Sequence, residues 1–248
     1  MKHPAEKRPR RPKKGGYARG DETHLQIVET ALDMFGQGGF EKTSTRAIAD
    51  RAGVNLGSIT YYFGSKKGLY RACAEHIAAY VEKTSETLLA EVEEAVEDQK
   101  LRRADLLALL RSYVDATAEQ LVSKHDPQSW LLFMDREQTN PAIASDIVYR
   151  RVTQPLVHAL AGLVGRITER SATDPDTVIR TLAIVGQLIV FRRMRIGALR
   201  TLGWPDFQSK RGSTLKQVLW DQIERGLETG PGSGRIGRLS RGRAAGRH

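Results

Sequence analysis

Between Thr43 and Leu69 the chain reads TSTRAIADRAGVNLGSITYYFGSKKGL, a stretch that brings hydroxyls, phenol rings and cations together at helical spacings. If residues 56–63 form one helix, Ile59 and Phe63, four apart, share its buried side. Gly57, Ser58, Thr60, Tyr61 and Tyr62 are then left to face a partner. Their chemistry suits a nucleic-acid duplex. Gly57 permits close backbone approach, Ser58 and Thr60 offer hydroxyls and a methyl to base edges, and Tyr61, Tyr62 and Lys66 reach phosphate oxygens. Thr45 and Arg46, at the head of the preceding helix, add backbone contacts assisted by that helix's N-terminal amides. Phosphate contacts set the register in this arrangement, and Ser58 and Thr60 read sequence.

No other constellation offers chemistry of comparable specificity. The six histidines, His3, His24, His76, His125, His158 and His248, show no metal-ligand spacing, and no phosphate-cradling loop precedes a helix. Neither a metal, a cofactor nor an enzymatic activity is expected. Residues 232–237 match the dinucleotide pattern GxGxxG, but they follow a helix and lack both the preceding strand and the downstream acid, so the match reads as accidental.

The elements that must position these residues are all helical, since no period-2 alternation bounded by hairpin turns occurs anywhere. From Thr23, the apolar residues Leu25, Val28, Ala31, Leu32 and Phe35 recur at helical spacing until Gly36–Gly39 stops the run. Thr43 or Ser44 caps a second helix that ends at Gly53, and a third runs from about Leu56 to Phe63, where Gly64 stops it. Residues 44–63 thereby form a helix-turn-helix, which lays its last helix in the DNA major groove. Ser65 caps a long fourth helix reaching about Val96, and a fifth spans Ala104 to Val122. Asp126-Pro127, Asn140-Pro141 and Asp174-Pro175 each place a capping side chain before a proline at a helix start. Pro155, inside a helical pattern, predicts a kink or split. From Pro175 to about Ile196 the sequence is apolar around nearly the whole circumference and needs cover on both sides. Arg192, Arg193 and Arg195 at its end are expected to carry their charge to solvent, and a last helix spans Leu215 to Leu227.

Length and charge set the class. The chain has 248 residues, 40% of them hydrophobic, enough to bury a real core, and a net charge of +10. That surplus sits at the ends: residues 1–20 carry +7 and residues 230–248 carry +5, leaving −2 on the body. Residues 21–70, which hold the helix-turn-helix, carry −1, so specificity there must rest on a few placed groups. Two basic tails favour a polyanionic partner. One cysteine, Cys73, excludes an intramolecular disulfide and fits a reducing cytoplasm. The longest apolar run, Leu182–Phe191, is far short of the roughly 20 residues of a membrane span, and no apolar segment follows the basic N-terminus as a secretion signal requires.

Residues 43–70, TSTRAIADRAGVNLGSITYYFGSKKGLY, closely resemble the DNA-binding domain of TetR-family transcriptional regulators, over roughly residues 22–81. Thr43, Ile48, Ala49, Gly53, Val54, Gly57, Tyr62, Phe63, Lys66 and Leu69 occupy the family's positions. The family commonly has tyrosine where Thr60 stands, so this chain lacks the ring that would carry a phosphate or thymine contact there. The C-terminal part resembles the regulatory domain of CecR-type members through WLLFMDREQTNPAIASDIV (130–148) and LGWPDF (202–207). The resemblance implies an all-α protein. A disordered basic arm (1–20) would lead into a helix-turn-helix domain (21–81), followed by a helical regulatory and dimerisation domain (82–228) and a Gly/Arg-rich tail (229–248). It further implies a cytoplasmic homodimeric repressor on a palindromic operator, released by a small-molecule effector. The helices from Pro175 and Leu215 would form the dimer's four-helix bundle. The effector pocket would lie among the fourth to eighth helices, where Tyr113, Trp130 and Phe133 are candidate lining residues because pockets favour aromatics. The alternative is a nonspecific DNA-coating protein that binds through its basic tails.

Overall fold

The computed structural model describes residues 15–122, 128–139 and 143–228, all of it helices and their connections. In order these are α1 (Gly15–Lys42), α2 (Thr45–Arg51), α3 (Leu56–Phe63), α4 (Lys66–Glu97), α5 (Arg103–Val122), α6 (Gln128–Thr139) and α7 (Ser145–Val148). A π-helical turn (Tyr149–Thr153) leads into α8 (Gln154–Thr168), α9 (Pro175–Arg193), α10 (Arg195–Leu202) and α11 (Ser209–Leu227). The N-terminal arm before Gly15, the Gly/Arg tail after Glu228 and the proposed caps at Asp126-Pro127 and Asn140-Pro141 lie outside the described residues.

Several boundaries differ from expectation for physical reasons. Helix α1 begins at Gly15, inside the stretch read as a disordered arm, because helix propagates upstream from a face once that face is packed. That face is Ile27, Val28, Ala31, Leu32 and Phe35, whereas Leu25 is exposed. Gly39, at φ 78° and ψ 170°, interrupts α1 before Lys42, so the glycine run breaks the helix as expected. The apolar run from Pro175 does not continue to Ile196. It leaves helical geometry at Met194 (φ −100°, ψ 23°), and a separate helix, α10, begins at Arg195. Pro155 does split its helical pattern: it sits in the first turn of α8, directly after the π turn Tyr149–Thr153. Asp174 does cap α9, accepting from the Asp176 N–H at 3.0 Å.

Two cores result. One joins the inner faces of α1–α3 and the first half of α4 with Phe133 of α6, Ala144 and Val148 of α7. The other joins the end of α4 (Val92, Ala95) with α5, α8, α9, α11 and Phe207. Helix α4 spans both, so it is the rigid member that links them. Arginines close the loops of the second core. Arg166 donates to the carbonyls of Ala95, Asp98 and Leu101 at 2.5, 2.7 and 3.1 Å, and Arg103 donates to those of Ile167 and Leu227, both at 3.2 Å. Most of these carbonyls lie at or just past helix C-termini, where intrahelical partners run out and guanidinium groups satisfy them well; that of Leu101 lies in the loop before α5.

Candidate nucleic-acid interface

Each element of the helix-turn-helix is started and stopped by an identifiable group. The Ser44 hydroxyl accepts from the Ala47 N–H at 3.1 Å and begins α2, so Ser44 is the cap. Thr43 is buried instead, its hydroxyl donating to Gly39 O at 2.8 Å. Gly53, at φ 66°, turns the chain in the left-handed region that a side chain would strain. Asn55 Oδ1 accepts from the Ser58 N–H at 2.8 Å and begins α3, which Gly64 (φ 71°) ends; Ser65 then caps α4. Gln26 of α1 donates to Ala52 O at 3.0 Å, pinning the end of α2, and Arg51 pairs with Asp33 at 2.5 Å.

The eight predicted contact residues are not equally available. Arg46, Gly57, Thr60 and Tyr61 are exposed, Tyr61 at 82%, and Thr45 is half-buried in the first turn of α2. Ser58 is half-buried, and its hydroxyl donates to Asn55 Oδ1 at 3.2 Å, so its proton serves the helix cap. Tyr62 packs edge-on to His24 of α1 at 5.8 Å and to Tyr61 at 5.0 Å. Lys66 lies over the Phe40 ring at 4.4 Å and donates to Glu41 O at 3.4 Å, which ties the start of α4 to the end of α1. Leu56, absent from the predicted set, is 47% exposed at the head of α3. A helical wheel puts it on the same arc as Thr60, Gly57 and Tyr61, and that geometry is readable from sequence.

Sequence reasoning also missed the strap that holds this unit from behind. Arg136 of α6 donates to Gly36 O at 2.9 Å and Gln37 O at 2.8 Å, at the end of α1's regular helix. Its neighbour Glu137, buried, accepts from the Tyr70 hydroxyl of α4 at 2.8 Å and from the Ala144 N–H at 2.9 Å. Burial and this carboxyl push the Tyr70 phenol above its ordinary range. A Cβ added at Gly36 would come within 2.5 Å of Ser129 O, so glycine is what lets α6 lie this close to α1. The signal was present as Arg136-Glu137 inside an otherwise amphipathic helix, but nothing local names partners a hundred residues away.

The three candidate effector residues are not brought together. Tyr113 belongs to the C-terminal core, where burial raises its phenol while a hydrogen bond with Thr117 opposes that shift. Phe133 is fully buried in the N-terminal core, 4.6 Å from the Tyr70 ring. Trp130 lies half-buried at that core's edge, edge-on to His76 at 5.3 Å and Tyr80 at 5.1 Å.

This arrangement has close counterparts. A model of the tetR family of bacterial regulatory proteins matches residues 27–73, and one of the C-terminal domain of the HTH-type transcriptional dual regulator CecR matches residues 106–229. The dual regulator CecR of Shigella flexneri is 31% identical over 207 residues, spanning 83% of this chain and 92% of that protein. Among solved structures, a transcriptional regulator from Pseudomonas aeruginosa PAO1 superposes with a TM-score of 0.56 at 16% identity, covering 87% of this chain and 97% of its own. AibR, solved with isovaleryl coenzyme A and operator DNA, superposes at 0.55 with 14% identity over 81% and 97%. With both halves matched in order and a relative of this identity and coverage, the chain belongs to the tetR family of bacterial regulatory proteins: it is a DNA-binding transcription regulator with a CecR-type C-terminal domain, not an enzyme.

Proposed function

We propose that the chain acts as a homodimeric repressor that leaves a palindromic operator when a small-molecule effector binds. The observation that carries this is an open apolar stripe on α9. Ile179 (65% exposed), Leu182, Ile189 and Val190 stand in solvent around Ala183 and Gly186, and Val218 of the adjacent α11 is exposed too. The opposite face of α9 packs Thr177, Thr181, Ile184 and Leu188 inward. A second copy laid on this stripe buries it through a two-fold axis. The same axis sets two α3 helices against inverted half-sites about one DNA turn, roughly 34–36 Å, apart.

Release by an effector is supported by the position of α6, whose ends of contact reach α1, α4 and the C-terminal core's neighbours. Asp135 of α6 pairs with Arg193 of α9 at 2.9 Å, beside the Arg136–Glu137 strap. A ligand reaching Tyr113 acts on the C-terminal core directly, and one displacing Trp130 or Phe133 shifts α6 against α1 and α4, on which the helix-turn-helix packs. AibR, which has a similar fold, is seen in complex with both isovaleryl coenzyme A and operator DNA, so the fold accommodates a small molecule beside DNA. To move the dimer from 99:1 bound-competent to 1:99, the effector must prefer the released form by about 5.5 kcal/mol.

Selection from a random duplex library, with light scattering of the same sample, tests the proposal. The expected outcome is an inverted-repeat motif and a particle of twice the 27.6 kDa chain mass. Leu182→Glu should give a folded monomer with weakened operator binding. A wild-type monomer, or a selection without sequence preference, would refute it.

A further inference from the structure

The outward arc of α3 consists of Leu56, Thr60, Gly57 and Tyr61 in angular order, all exposed, while Ile59 is buried and Tyr62 and Phe63 pack toward α1. The helix LGSITYYF contains no Arg, Lys, Asn, Gln, Asp or Glu. Among those side chains, Arg and Lys bond guanine, Asn and Gln bond adenine, and Asp and Glu accept from cytosine in the major groove. Asn55, just before the helix, has its carbonyl oxygen engaged by the Ser58 N–H and hydroxyl. What α3 offers at its N-terminal end, the end that meets base edges in helix-turn-helix complexes, is the Leu56 isobutyl group and, one turn on, Thr60 with a methyl beside its hydroxyl.

A leucine held half in water at the head of a helix, outside the buried core, gains most if DNA covers it. Thymine alone among the four bases presents a methyl in the major groove. We propose that Leu56 and Thr60 form an apolar corner that receives thymine C5-methyl groups, so that α3 selects its half-site chiefly by methyl contact. Gly57, between them and Tyr61 on the arc, leaves the backbone bare and lets the corner approach the base edges. Arg46 and Thr45 of α2 hold the phosphates alongside. This inference rests on α3 being the operator-facing helix of a sequence-specific regulator.

The test replaces thymine by deoxyuridine, which removes the methyl and keeps every hydrogen-bonding group. The full-length chain is used to select an operator from random duplexes, and each thymine of a half-site is exchanged singly while affinity is followed by fluorescence anisotropy. One or two positions should lose about fourfold per methyl, the equivalent of one buried methyl group. That loss should shrink to under about 1.5-fold in Leu56→Ala or Thr60→Ser, both exposed sites whose replacement leaves thermal stability nearly unchanged. If every deoxyuridine exchange is neutral, or if the loss persists in both variants, the corner does not read thymine although the operator stands. If selection returns no motif, the operator reading fails and this inference with it.

Discussion

The N-terminal core is closed by its own chain, whereas the C-terminal core is left open along one side. Around the helix-turn-helix, positive-φ glycines, hydroxyl caps and the Arg51–Asp33 pair finish each element, and the exposed large apolar side chains are scattered singly, Leu25 on α1, Leu56 and Tyr61 on α3 and Tyr80 on α4. Along α9 and α10 the reverse holds: Ile179, Leu182, Ile189, Val190, Met194, Ile196 and Leu202 are all exposed. The first region presents a finished surface to a polar partner. The second presents aliphatic groups that only another apolar surface satisfies. The two also trade material, since Phe133, Ala144 and Val148 come from the half of the sequence matched as regulatory yet complete the N-terminal core. A boundary drawn by sequence at residue 81 therefore does not coincide with the boundary drawn by packing.

The sharpest way to break this comparison is to empty the borrowed site. Phe133→Ala removes a fully buried ring from the N-terminal core and should cost about 3–5 kcal/mol of stability. Hydrogen exchange should show the lost protection in α1 and the first half of α4, with α5 and α8 little affected. Deprotection confined to α5, α8 and α9 would mean that α6 belongs energetically to the C-terminal core.

The difference between the regions also explains what was legible in the sequence. The helix-turn-helix is specified by neighbours: Ser44, Gly53, Asn55, Gly64 and Ser65 act within three or four residues, so spacing alone places α2 and α3 correctly. The roles of Ser58 and Lys66 were less visible, because whether a hydroxyl or ammonium is free depends on Asn55 and on Phe40 and Glu41 across a turn. In the C-terminal half, apolar periodicity found α9 and α11 but not the break at Met194, where no proline or glycine marks the stop. The strap from Arg136 and Glu137 to Gly36, Gln37 and Tyr70 is long-range and polar, and hydrophobic patterning carries no information about it. For the same reason Tyr113 and Phe133, grouped by aromatic type, fall in different cores.

The strap sharpens the comparison at an intermediate scale. Tyr70→Phe removes the donor to Glu137 and leaves a buried carboxyl oxygen without that partner, at a cost of about 1–3 kcal/mol in chemical denaturation. The matching deletion in the C-terminal half, Lys216→Met at the solvent-exposed pair with Glu119, should change stability by less than about 1 kcal/mol. Equal costs would show that buried polar ties are no more concentrated at the α4–α6 contact than elsewhere.

The smallest expected effect lies at the edge of the same contact. His76 of α4 is half-buried against Trp130 of α6, and burial holds its imidazole below the ordinary value of about 6.5. Glu29 on α1 pulls the other way and His24 adds to the depression. The unfolded chain therefore binds a proton at His76 more readily than the folded one. Stability from this group is fully present above about 6.5 and is lost as pH falls through the lower, folded value. Thermal midpoints measured from about pH 7 down to pH 5 should fall more steeply in the wild type than in His76→Gln, which cannot titrate. Parallel curves would mean that the ring takes up its proton without disturbing the Trp130 contact, and that this edge of the N-terminal core is wetter than its packing implies.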